Sequence, residues 1–319
     1  MAYTYNPANM NQRSDVASMM KARPYLRMIS LDAFNRLPAI YDKVFNVKNS
    51  TLSVERENTT GLGGQWALLA EKAEHAYSNI DEGTEISYTI VTYADAIDLS
   101  VEMVDDNQWK EAFQGAKLLG RGAYSALEDA CATVYDNAFT SGTGADGTYL
   151  CNASHNLINS TSTGDNLLTD VLDSTGLKNA FAQGRKVVNE SGIFIPMFYD
   201  TLLVPPELEE IAIQLCVNEA KPGTANRDIN TFNKNSYEAS NYSSRIKKII
   251  VNPYLSSTTA WFLIASMAEE KPTVYMRQPV SFNLERDPHT NAYLHQGRMR
   301  FAPGFTNWQG VQGSTGTGV

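Results

Sequence analysis

Cys151 and His155 stand four residues apart. On a helix that spacing would put a thiol and an imidazole on one face as nucleophile and base. Their neighbours Gly147, Asn152, Ser154 and Asn156 argue for a loop instead, a turn near the end of a preceding helix, and no catalytic residue is expected. His75, His155, His289 and His295 are scattered, with none of the His or carboxylate pairing of a zinc site. Gly61-Leu-Gly-Gly lacks the Lys-Ser/Thr of a phosphate loop and opens no helix, so it reads as a flexible tip. Asp81-Glu-Gly-Thr-Glu lacks the alternating oxygens of a calcium loop and reads as a solvated acidic turn. No metal and no cofactor is expected.

The composition asks for two domains, or one with a large insertion. The chain has 319 residues, 43% hydrophobic and 19% charged, with a net charge of −9. This is enough apolar material for a packed core and excludes wholesale disorder, collagen and coiled coil. An acidic chain is a poor general binder of nucleic acid. Cys131, Cys151 and Cys216 are too few and too scattered for a disulfide framework or a zinc cluster. The first fifteen residues carry no basic-then-apolar signal, and the longest apolar stretch, 260–268, falls far short of the ~20 residues that span a bilayer. A soluble intracellular or assembled protein, without a membrane partner, is expected.

The elements that must position these residues read as α+β. The first fifty residues lean basic and have too little apolar surface to fold alone, so they read as an arm lying on something else. Strand-like Thr51–Glu55 and Ile86–Tyr93 flank an acidic middle with Gly61-Leu-Gly-Gly in it, a long hairpin that wants a partner surface. Residues 107–139 form the clearest element. Asp105 and Asp106 can cap it, and Trp109, Phe113, Ala116, Gly120, Ala123, Leu127, Cys131, Val134 and Ala138 recur at helical steps. Such a helix is roughly 50 Å long. Its Gly115, Gly120 and Gly122 either permit close packing against another backbone or kink the rod. Further on, 175–190 reads as helix, 197–204 as strand, 206–217 as helix and 218–243 as a polar excursion. Strands follow at 246–251, 260–265, 273–276, 280–284 and 292–302, and the tail at 313–319 reads as frayed linker.

The order of these parts resembles the Hong Kong 97 fold of tailed-phage major capsid proteins. Asp146-Gly-Thr-Tyr-Leu-Cys-Asn-Ala-Ser-His-Asn, Tyr199-Asp-Thr-Leu-Leu-Val-Pro-Pro-Glu-Leu-Glu, Val251-Asn-Pro-Tyr-Leu and Ala260-Trp-Phe-Leu-Ile-Ala are similar to the Mu-like major head subunit family. The resemblance runs from about Phe45 to Gln312. It implies an N-terminal arm at 1–52, an E-loop hairpin at 53–88 and a spine helix at about 107–139. It also implies a peripheral (P) domain at 89–167 with 281–312, an axial (A) domain inserted at 168–280, and a flexible tail at 313–319. Some members carry a helical scaffolding domain ahead of the arm, cleaved during maturation; this sequence shows none, so scaffolding is expected either from a separate protein or from a segment already removed.

Three functions therefore stand side by side. The first is the major capsid, or head, protein of a tailed bacteriophage or prophage, self-assembling through pentamers and hexamers into an icosahedral shell around double-stranded DNA. The second is an encapsulin-like nanocompartment enclosing protein cargo, and the third an α+β enzyme, for which no motif speaks. The resemblance implies portal and scaffolding partners, weak non-specific contact with packaged DNA, assembly in the bacterial host cytoplasm and residence in the virion. Opposite charges suggest that arm and hairpin clamp neighbouring subunits through Arg13, Lys21, Arg23, Arg27 and Arg36 on one side and Glu55, Arg56, Glu57, Glu71, Lys72, Glu74, Asp81 and Glu82 on the other. Lys221, Pro222, Gly223, Arg227, Asp228 and Lys234 mark the loop expected at the symmetry axis. Trp109, Phe113, Leu127 and Val134 are the expected core of the spine, lying in the inner or middle layer of the shell and bent near Gly120 and Gly122.

Overall fold

Residues 16–62, 66, 68–72, 74, 75, 77, 80–105, 109–158, 160–195, 197–217, 246–267, 269, 271–290 and 292–318 are described by the structure, a computed structural model. The chain opens with helices α1 (Val16–Asn35) and α2 (Tyr41–Val44), then strands β1 (Asn46–Asn49), β2 (Val54–Leu62), β3 (Ile80–Thr89) and β4 (Val91–Leu99). Helices α3 (Val101–Asp105) and α4 (Trp109–Asp136) lead to short strands β5 (His155–Asn156), β6 (Thr163–Gly164) and β7 (Leu167–Leu168). Helix α5 (Ser174–Gly184), strand β8 (Tyr199–Val204) and helix α6 (Glu209–Cys216) precede strands β9 (Lys248–Val251), β10 (Trp261–Ala265), β11 (Thr273–Arg286), β12 (Tyr293–Gly304) and β13 (Val311–Ser314). Contacts gather the chain into two units: residues 1–39, 90–128 and 276–301, and residues 40–89, 129–275 and 302–319.

In the first unit α4 is packed on two sides. Leu26 of α1 joins Leu99, Ala112, Ala116 and Leu284 in one cluster, with Ile29, Phe113 and Tyr293 half-buried against it. Leu127 is only 2% exposed. A Cβ placed on Gly120 would stand 2.2 Å from the Ser30 carbonyl oxygen, whereas one on Gly122 would meet nothing. Of the two readings of these glycines, Gly120 answers to close backbone packing, and α4 is helical straight through both positions. The arm is thus not without a core: Leu26 and Ser30 are fully buried on their own chain.

The other side of α4 faces a sheet. β4 and β12 pair antiparallel from Tyr293 opposite Leu99 to Phe301 opposite Val91. The Ile97 side chain approaches Gly115, and the Tyr93 ring stacks on Phe301 at 4.7 Å. The expected strand Ile86–Tyr93 is in fact divided at Ile90. Tyr88 belongs to β3 and the second unit, while Tyr93, Ile97 and Leu99 are the residues that line α4. The two strands expected at 273–276 and 280–284 are one, β11, which runs through exposed Pro279. β11 lies between β12 and β1, and β1 has only four residues, so much of that side asks for no backbone donor and tolerates a proline.

In the second unit five strands run in the order β7-β13-β10-β8-β9. β10 is buried at every residue, and Leu177, Tyr199, Leu202, Trp261 and Leu263 form the core with α5 and α6. Asp173 caps α5, its carboxylate accepting from the Gly176 N–H at 2.6 Å. The tail expected to be frayed is instead part of this sheet: Ser314 pairs with Trp261 and is fully buried. The reason is steric. A Cβ on Gly313 would lie 2.5 Å from Cys151 Sγ, so the glycines that look like linker admit a strand against a packed neighbour. β13 also draws residues 302–319, and the polar loop before β7, into this unit, so the contact boundaries differ from the expected P and A domain limits.

Candidate assembly surfaces and the polar networks behind them

The hairpin is built from β2 and β3, antiparallel from Val54 opposite Thr89 to Leu62 opposite Ile80, with an irregularity between Asn58 and Thr60. At its root Glu57 collects donors. Lys48 Nζ reaches it at 2.6 Å, the Thr306 hydroxyl at 2.5 Å, and the Tyr275 hydroxyl also donates to it. Thr306 spends its one proton on Glu57, so Tyr88 must donate to Thr306 across 2.6 Å. Burial pushes the Glu57 carboxyl up, but Lys48, Thr306 and Tyr275 outweigh it and hold the group below its ordinary value. Burial and the facing Glu57 push the Tyr275 phenol well up. The Tyr88 ring meets Tyr275 edge-on at 5.0 Å, and Gly304 leaves room for it. Lys48, Arg56, Glu57, Lys271 and Asn307 line a polar cleft of about 390 Å³ here.

Towards the tip the hairpin is bare. Trp66 is 96% exposed, Leu68 101% and Tyr77 97%, and Glu71, Lys72, Glu74 and His75 are exposed among them. Lys72 takes a left-handed backbone at φ 65°. Lower down, Glu55 accepts from the Ser50 hydroxyl at 2.6 Å, Arg56 pairs with Glu85 across the strands at 3.1 Å, and Glu82 is exposed. Asp81 lies in β3. Of the arm cations, Arg27 is exposed and Arg36 pairs with Asp32 at 2.9 Å. Lys21 and Arg23 lie in α1, and Arg13 falls outside the described residues, as do Lys221, Pro222, Gly223, Arg227, Asp228 and Lys234. Trp109 begins α4, Phe113 and Val134 are half-buried, and Leu127 is buried.

The sequence signal missed a second network. His155 is fully buried in β5, its ring stacked on Trp308 at 4.3 Å. Nδ1 faces Asp146 Oδ2 at 2.5 Å and Nε2 faces Asn166 Oδ1 at 2.8 Å. The Asn166 amide in turn donates to the Leu150 and Val311 carbonyls, both at 2.8 Å. Burial raises the Asp146 carboxyl, but His155 and Thr148 outweigh it and leave it below its ordinary value. Burial raises Glu190, which lines a cavity of about 400 Å³ together with Asp146. This arrangement stitches the loop after α4 to β13. It does not build a nucleophile: the partners of His155 are Asp146, Thr148, Asn152 and Asn166, and burial alone pushes the Cys151 thiol far up. Among the described residues, no group of three or more His, Cys, Asp or Glu could hold a metal, and no helix is long and apolar enough to cross a membrane.

A family model described as phage capsid protein matches residues 83–313. No curated protein matches the chain in sequence. Its structure is similar to the virus-like particle from Pyrococcus furiosus, at 11% identity and a TM-score of 0.52, over 92% of this chain and 99% of that one. It is also similar to the capsid of Ralstonia phage GP4, at 14% identity and a TM-score of 0.52, over 85% of this chain and 86% of that one. The decorated capsid of bacteriophage JBD30 matches at 12% identity and a TM-score of 0.50, over 69% of this chain and 92% of that one. The family match covers well over half of the chain, and the chain belongs to the phage capsid protein family, with a Hong Kong 97-type fold.

Proposed function

We propose that this chain is the major head subunit of a tailed phage or prophage, of the Mu-like kind its motifs resemble. Copies assemble through pentamers and hexamers into an icosahedral shell around double-stranded DNA. The observation that carries this is the bare hairpin tip: three large apolar side chains, Trp66, Leu68 and Tyr77, stand almost wholly in solvent on one chain. Exposed apolar groups gathered on a two-stranded excursion mark an interaction surface, and closed symmetry lets identical copies cover it. In this reading hairpin and arm clamp neighbouring copies, and residues 218–243 supply the loop nearest the symmetry axis. Portal and scaffolding proteins complete the particle, assembly takes place in the host cytoplasm, and the role is mechanical, with no enzymatic step. The second reading, an encapsulin-like nanocompartment around protein cargo, is the less supported; the likeness to a virus-like particle from Pyrococcus furiosus is one of fold.

Negative-stain microscopy of the purified chain tests the proposal, with closed shells or rings as the expected result. A chain that stays monomeric at every concentration would sink it. Nuclease-protected DNA inside particles made in an infected or induced host supports the phage reading; protein cargo without DNA supports the other.

A further inference from the structure

α4 has a third face that neither α1 nor the sheet covers. Ala116, Gly120 and Tyr124 turn towards α1, and Gly115 and Leu119 turn towards the sheet. At 3.6 residues per turn the remaining face holds Lys110, Gln114, Lys117 and Arg121, spaced i, i+4, i+7 and i+11. All four are exposed. No carboxylate among the described residues pairs with the three cations. The acids of α4 lie off this row: Glu111 is a sixth of a turn or more round the helix, Glu128 is buried, and Asp129 and Asp136 are about two and four turns further on. In a chain of net charge −9 this is a local reversal of sign.

We infer that this row is a polyanion-binding surface that meets the phosphate backbone of duplex DNA. The inference rests on the reading that the shell encloses DNA and that α4 lies in its inner layer. Along the helix axis Lys117 and Arg121 stand about 6 Å apart and Lys110 a further ~10 Å away. Phosphates recur along a duplex in every register, so a rigid row of cations, with the Gln114 amide as an extra donor, finds partners at any sequence. Exposed Leu118 flanks the row one turn from Gln114, so the row itself offers cations and an amide, and a single aliphatic side chain at its edge is no central anchor for a protein partner. Three phosphates neutralised per subunit give a salt slope of about −3, weak enough for DNA to slide along the wall. The acidic remainder of the chain keeps other surfaces from gripping.

The test uses the purified full-length chain before assembly and a short fluorescein-labelled duplex of random sequence, titrated from about 50 to 200 mM salt. The variant is Lys110→Gln/Lys117→Gln/Arg121→Gln; the control is Lys178→Gln/Lys186→Gln/Lys248→Gln, which removes three exposed cations elsewhere. The first variant is expected to bind at least about tenfold more weakly at low salt, with its slope reduced by about 3, while the control changes less than about twofold. Equal losses in both variants, no loss in the first, or no binding of DNA by the wild-type chain would each overturn the inference. So would competition by polyglutamate at lower charge concentration than by unlabelled duplex, which would assign the row to an acidic protein segment. Shell formation is scored separately: the first variant is expected to assemble, so the DNA surface can fail while the capsid reading stands.

Discussion

Ser30 Oγ on α1 and His295 Nε2 on β12 stand 2.8 Å apart, both fully buried. The same hydroxyl donates to the Ala116 carbonyl of α4, also at 2.8 Å. A hydroxyl has one proton, so the imidazole must be the donor to Ser30, which fixes the tautomer with hydrogen on Nε2. One serine thereby ties together the arm helix, the spine and the sheet of the first unit. Burial holds His295 below its ordinary pKa, with the Asn283 backbone pulling weakly the other way.

Acid should loosen this joint. His295 is neutral when folded and binds a proton more readily when unfolded, near pH 6.5. Its contribution is therefore complete above about pH 6.5 and is lost as the pH falls below it. Thermal unfolding between about pH 8 and 5 should show a falling midpoint in wild type and a flatter profile in His295→Gln. Ser30→Ala, which strands the imidazole N–H and removes the second donor to the Ala116 carbonyl, should cost ~1–3 kcal/mol at neutral pH. A wild-type midpoint unchanged across that range would contradict the assignment.

Gly120 and Gly122 should respond oppositely to alanine. At Gly120 the new methyl would collide with the Ser30 carbonyl, a backbone atom that cannot swing aside, and the arm helix must shift. At Gly122 the space is open, and alanine gains ~1 kcal/mol of helix propensity. Urea unfolding should place Gly120→Ala below and Gly122→Ala above wild type. Parallel shifts in one direction would return both glycines to the kink reading.

Those same glycines show what a sequence can carry. β10 is a continuous apolar run and α4 repeats at helical steps, so the apolar pattern alone located them. Gly313 was opaque for the opposite reason: its value is the side chain it lacks beside Cys151, and composition reads that lack as linker. The one strand β11 reads as two in the sequence, because the short neighbour β1 that leaves room for Pro279 is a tertiary fact. Asp146, His155 and Asn166 lie nine and eleven residues apart in loop, with no period to announce that they share one network. The capsid reading came from the order of elements, which survives such local errors.

The root of the hairpin should also be acid-sensitive, in a lower window. Glu57 is held below its ordinary pKa, so its contribution is present above about pH 4.5 and disappears as the pH falls through its native value. Amide exchange in β2 and β3 should accelerate over that window in wild type. In Glu57→Gln it should already be faster at pH 7, because Lys48, Tyr275 and Thr306 lose a charged acceptor worth ~1–3 kcal/mol. Identical exchange in both proteins at pH 7 would mean that the hairpin is anchored elsewhere.

Folding and assembly can be separated by two substitutions. Leu127 is buried at the middle of α4, and Leu127→Ala should cost ~2–5 kcal/mol; half-buried Phe113→Ala should cost less. Because α4 contributes to both units, the Leu127 loss should appear as a lower melting temperature and failed or insoluble shells. Trp66 is the converse case. It stands in solvent on the single chain, so Trp66→Ala should leave the melting temperature of the unassembled chain unchanged. In a shell, however, the indole would be covered by a neighbour, and truncating a buried aromatic anchor typically costs ~2 kcal/mol or more per contact. Repeated at every subunit, that loss should sharply raise the protein concentration needed for assembly, measured by light scattering and counted by microscopy. Shells forming from Trp66→Ala at the wild-type threshold would remove the hairpin tip from the assembly surface, and wild-type yield from Leu127→Ala would show that the buried face of α4 is misassigned.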